Sequence, residues 1–95
     1  MKYVKMNGSI AVVSVSGPLD VVTSLSVIED LSSAYNNGCT KVEVNLENTT
    51  FIDSAAIGEL VKTRRRVGKE NFKVKNLKGE VLKVFKGSNL MDWLH

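Results

Sequence analysis

The sequence has one cysteine, one proline, one histidine and one tryptophan among its 95 residues, and each scarcity closes off a class of explanation. With Cys39 alone there is no internal disulfide and no multi-cysteine metal site. Nothing basic adjoins it in Asn37-Gly38-Cys39-Thr40, so it reads as a small buried residue ahead of a strand rather than a reactive thiol. The lone histidine, His95, allows no Ser/His/Asp order and no two-histidine metal pattern, and no glycine-rich phosphate loop is present. Asp20, Asp53 and Glu59 read as two helix caps and a helix-surface charge rather than as an acid and base. No catalysis, metal or cofactor is expected. Apolar runs such as Ile10 to Val13 fall far short of the roughly 20 residues that span a bilayer. After Lys2 and Lys5 there is no apolar stretch or small-residue cleavage site, so the cytoplasm is the expected compartment.

What the chain does contain is ordinary for a globular protein: 43% hydrophobic and 24% charged residues. That composition and length predict a single domain over residues 1–95. A net charge of +3 raises the question of nucleic acid. The positive charge, however, crowds one helix end at Lys62, Arg64, Arg65, Arg66 and Lys69, where cations complement the helix dipole. The aromatic residues are scattered rather than interleaved with this run, so direct nucleic-acid contact is not expected. A small basic nucleic-acid binder is the reading kept from a different functional class.

Local patterns give an α/β order. Tyr3 to Met6 and Ile10 to Val15 read as two strands joined at Asn7-Gly8, with Gly17-Pro18 stopping the second. Asp20 is a candidate N-cap for a helix whose apolar residues recur at Val21, Leu25, Ile28, Leu31 and Tyr35. Asn36-Asn37-Gly38 ends it, and Lys41 to Leu46 alternates as a half-buried strand, which favours a parallel pair in a mixed sheet. Glu47 to Ile52 reads as a loop, and Asp53-Ser54 opens a helix running to about Val67, with Gly68 after it. Phe72 to Lys75 is a further strand, Gly79 to Phe85 a short helix, and Leu90 to His95 an edge strand or a lid that lays Trp93 on the core. The sum is a two-layered α/β domain of four or five strands and three helices.

The helix at Ser54 separates into two faces at 100° per residue. Ala56, Leu60, Thr63 and Val67, flanked by Ile57, form its core side. Ser54, Gly58, Val61 and Arg65 gather on the other side with Lys62 at the margin, and Val61 is expected there as an exposed apolar residue. A glycine inside a helix costs about 1 kcal/mol relative to alanine, and close approach by another backbone would explain Gly58. Ser54, at the N-cap or first turn, lies where unpaired N–H groups and the positive dipole end point outward, so the fold would tolerate a phosphate there. Taken alone, Asp-Ser before a helix is also an ordinary cap.

The stretch Thr50-Phe51-Ile52-Asp53-Ser54-Ala55-Ala56-Ile57-Gly58, with the strand Val42 to Leu46 before it and Gly17-Pro18-Leu19-Asp20 farther upstream, resembles the STAS family of bacterial anti-sigma factor antagonists over nearly the whole chain. Ala56 stands where the family motif has glycine. The resemblance implies a STAS-like mixed sheet and a transcription regulator with Ser54 as a phosphoacceptor. The expected partner is an anti-sigma factor with serine kinase activity, captured by the dephosphorylated domain so that a sigma factor is freed. A phosphatase would reset the cycle. The surface expected to meet the partner is Asp20, Asp53, Ser54, Gly58, Val61, Lys62 and Arg65. The alternative within the same fold is a STAS docking subunit of a lipid transporter or a stress-sensing assembly that never carries phosphoserine.

Overall fold

The computed structural model describes residues 1–90. The first two strands, β1 (Val4–Asn7) and β2 (Ile10–Ser14), form an antiparallel hairpin. Asn7 is its last paired residue, opposite Ile10, so the two-residue loop is Gly8-Ser9, and Gly8 takes φ +62°. A left-handed φ at this position suits glycine and the twist of a tight hairpin. Strands β4 (Lys41–Asn45) and β6 (Phe72–Lys75) extend the hairpin into a four-stranded mixed sheet in the order β1-β2-β4-β6, with β2, β4 and β6 parallel.

The expected mixed sheet and three helices are present, with one addition. Residues expected to stop a strand and to form a loop instead pair as β3 (Gly17–Leu19) and β5 (Thr49–Ile52), a separate two-stranded parallel sheet. Both are too short to show a period, and β3 contains a proline, which pattern reading takes as a stop. The buried Thr49 hydroxyl donates to the Val15 carbonyl at 2.8 Å and ties this small sheet to the end of β2.

Helices α1 (Val21–Asn36) and α2 (Ser54–Val67) pack on one face of the larger sheet. α2 buries Ala56, Leu60 and Thr63, the side its spacing indicated, and ends at Gly68 with φ +93°. α1 differs from expectation. It buries Ser24, Val27, Leu31 and Ala34, whereas Val21 and Leu25, expected on its core stripe, are 51% and 59% exposed. The small residues Ser24 and Ala34 let the helix sit close to the sheet but give no hydrophobic signal, so the more conspicuous Val21-Leu25 stripe misleads. A single 3-10 turn (Lys69–Asn71) follows α2, and α3 (Gly79–Gly87) plugs the remaining end with Val81 and Phe85. Phe85 is fully buried, a contribution of roughly 1.5–3 kcal/mol from its side chain. Leu90 packs against the core. The rest of the last segment, including Trp93 and His95, lies outside the described residues. No helix among the described residues is long and apolar enough to cross a membrane.

Candidate functional site

β3 and β5 lie side by side, Leu19 opposite Ile52, and each runs through one aspartate into a helix. Asp20 follows β3 and caps α1, its Oδ1 accepting the Thr23 N–H at 2.9 Å. Asp53 follows β5 and caps α2, its Oδ1 accepting the Ala56 N–H at 2.8 Å. Because the strands are parallel neighbours, both helices begin at the same end of the molecule. One bond joins them directly: the second carboxylate oxygen of Asp53 accepts the Val21 N–H at 3.1 Å. A single side chain thus satisfies one of the unpaired N–H groups at each of two helix starts. The backbone N–H of Thr23 holds the Asp20 carboxyl below the usual aspartate range, with burial opposing it.

Ser54 is the first residue of α2, with Asp53 as the N-cap itself. It is exposed, and among the described residues its hydroxyl has no hydrogen-bond partner, so the oxygen is free for a partner or a modifying enzyme. Gly58, one turn on, faces open space: a Cβ built there would meet nothing within 4 Å. The fold itself therefore does not demand glycine at this position.

The other expected surface residues divide. Val61 is half-buried and packs against the core rather than standing exposed, so α2 buries more of its circumference than a two-faced helix would. Lys62 is exposed and pairs with Glu59 at 3.3 Å. Arg65 is exposed near the far end of α2, roughly 16 Å along the axis from Ser54 at 1.5 Å per residue. In the basic cluster Arg66 lies over the Tyr35 ring at 3.9 Å and clips α2 to α1. The structure therefore brings together Asp20, Asp53, Ser54 and Gly58 and leaves Arg65 at the opposite end of the helix.

Spacing missed a set of apolar residues on α1 and β5. Val21, Val22 and Leu25, at 51%, 70% and 59% exposed, stand on the first turns of α1, and Phe51, at 49%, lies on β5 opposite Pro18. Among the described residues, four of the five large hydrophobic side chains with high exposure are thus at the end where α1 and α2 begin. Clustered exposure of this kind marks interaction surfaces. The sequence signal was an excess: α1 carries more apolar residues than one core stripe can use.

Comparison with known proteins adds four findings. The STAS domain family profile matches residues 2–95. An anti-sigma-B factor antagonist of Staphylococcus aureus (strain NCTC 8325 / PS 47) is 28% identical over 85 residues, covering 87% of this chain and 79% of the relative. Among solved structures, the anti-sigma factor antagonist SpoIIAA in its unphosphorylated form is similar with a TM-score of 0.83 and 25% identity, covering 97% of this chain and 84% of that one. The phosphorylated form of the Bacillus cell fate determinant SpoIIAA has the same fold at a TM-score of 0.75 and 23% identity, over 97% of this chain and 86% of that one.

Proposed function

From the premise that the chain belongs to the STAS domain family, we propose that it is an anti-sigma factor antagonist switched by phosphorylation of Ser54. The observation that carries this reading is the exposed, unpartnered Ser54 hydroxyl at the first residue of α2, beside a cluster of exposed apolar side chains. The unphosphorylated surface presents Val21, Val22, Leu25 and Phe51 for burial against an anti-sigma factor, with Gly58 admitting its backbone closely. The charged residues Asp20, Asp53, Lys62 and Arg65 set orientation and association rate more than affinity, and Val61 supports the surface from below. The role is regulatory rather than catalytic and is exercised in the cytoplasm.

Phosphorylation adds about −1.5 to −2 charges. At a helix start such a group is well placed with respect to the dipole, so the domain stays folded. It also stands beside the Asp53 carboxylate and the apolar cluster. A complex burying that cluster would then have to desolvate a dianion next to another anion, which ends binding. The anti-sigma partner acts as the serine kinase, and a phosphatase restores the acceptor.

The test is incubation of the protein with ATP and a candidate anti-sigma kinase, followed by peptide mapping. The expected result is one phosphate on Ser54 and loss of the complex once it is added. A stable complex whose Ser54 is never modified would replace the switch with the docking-subunit reading.

A further inference from the structure

The four-stranded sheet has two unlike faces. One carries Ala11, Val13, Val42, Val44, Phe72 and Val74 beneath α1 and α2. Strand alternation puts their sequence neighbours on the other face, where no described helix packs. Parallel strands usually occur in sheets covered on both sides, yet β2, β4 and β6 are parallel and have one side bare among the described residues.

The bare face is cationic. Lys5, Val12, Glu43 and Lys73 form one row across all four strands, with Lys41 opposite Ile10 and Lys75 opposite Asn45 in the flanking rows. The carboxylate on its strands, Glu43, is taken by Lys75 at 3.4 Å, and Glu70 borders the face where the parallel strands begin. Lys5, Lys41 and Lys73 have no carboxylate partner among the described residues. An open depression of about 430 Å³ lies where β2, β4 and β6 begin, bordered by Ile10, Lys41, Glu43, Lys69, Glu70 and Lys73, three cations against two carboxylates. Half-buried Ile10 and Val12 supply an apolar centre among side chains in which cations outnumber carboxylates.

We infer that this face is a second docking surface, one that takes an acidic polypeptide segment with carboxylates on Lys5, Lys41 and Lys73 and an apolar side chain against Ile10 and Val12. Charge complementarity fits an acidic partner, and two features favour polypeptide over the other polyanions. Tyr3, the aromatic ring that borders this face beside Lys5, Val12 and Ser14, packs against the core with the Lys2 ammonium 5.3 Å from its centre, which makes it a poor platform for stacking a nucleic-acid base. Ile10 and Val12 are half-buried, so no apolar side chain of this face protrudes to enter a bilayer. The depression lies at the beginnings of the parallel strands, whereas Ser54 follows the end of β5, so both surfaces can be occupied together. The inference does not depend on Ser54 being a phosphoacceptor.

The experiment titrates the full ¹⁵N-labelled chain with a twelve-residue glutamate peptide bearing one central leucine, and in parallel with a twelve-nucleotide single-stranded DNA and with phosphatidylserine vesicles. Peptide-induced amide shifts are expected at Lys5, Val12, Glu43 and Lys73 and not at Ser54 or Gly58. The Lys41→Glu/Lys73→Glu double variant should bind the peptide at least about tenfold more weakly, while Ser54→Asp and Lys62→Glu bind as the parent does. Thermal melts establish that the double variant folds, and Lys41→Gln/Lys73→Gln replaces it if not, with a smaller loss expected. No peptide binding, unchanged binding by the lysine variants, shifts confined to another surface, or tighter response to DNA or vesicles would each overturn the inference.

Discussion

The starts of α1 and α2 are built alike and expose opposite chemistry. Each follows a short strand of the same two-stranded sheet and each is capped by an aspartate that accepts the N–H three residues on. Their first helical residues differ: Val21 in α1, Ser54 in α2. One start offers apolar area and the other a hydroxyl that can change charge. If the proposed switch operates here, the pairing makes binding and its control adjacent without making them the same residues. On the proposed function, affinity would come from burying Val21, Val22 and Leu25, and control from what is attached to Ser54.

If that division is right, altering Ser54 has the largest effect and leaves the fold alone. Ser54→Asp is expected to weaken the anti-sigma complex at least about 100-fold, about 2.7 kcal/mol, with stability in urea changed by no more than ~0.5 kcal/mol. Val22→Asp, on the α1 side, should weaken the complex as well but leave the rate of Ser54 phosphorylation at saturating kinase unchanged. Equal losses of both quantities would merge the two starts into one function.

The two caps should separate next. Asp53→Ala removes bonds to both helices and is expected to cost about 2 kcal/mol in urea unfolding, at roughly 1 kcal/mol per cap. Asp20→Ala removes one cap bond and should cost less; the reverse order would show that the Asp53–Val21 bond adds nothing. Gly58→Ala runs the other way. With open space for the methyl group, it should stabilise the domain by up to about 1 kcal/mol while weakening the complex, and calorimetry of both would settle whether the glycine serves the partner.

The smallest effect is in acid. Asp20 has a carboxyl held below its ordinary value, so the stability it contributes is present above the unfolded-state value near 3.9 and is lost as pH falls through the folded-state value. Asp20→Asn should flatten that part of the stability profile below about pH 4, and an unchanged acid limb would remove the cap from the account.

How well the sequence reveals these features varies by element. α2 is readable because Ala56, Leu60 and Thr63 recur at helical spacing and Gly68 stops the chain. α1 is misread because Ser24 and Ala34 hold two of its four buried positions, while Val21 and Leu25 imitate a core stripe from the solvent side. β3 and β5 are invisible to pattern because three or four residues show no period and their pairing is decided by tertiary position. For the candidate site, Asp53 and Asp20 are legible from capping chemistry, whereas Ser54 stands out only through the resemblance of its surroundings to the STAS motif. The apolar cluster is not, since exposure is a property of the assembled fold.

The carboxylate that Asp53 shares between its own helix and Val21 spans 32 positions in the sequence. Such a link exists only after the chain has closed a long loop, a step that local helix formation does not supply. A kinase that requires the two helix starts together would ignore the nascent or misfolded chain and a short peptide around Ser54 alike. Phosphate on this serine would then carry a second message: that the molecule bearing it had completed folding.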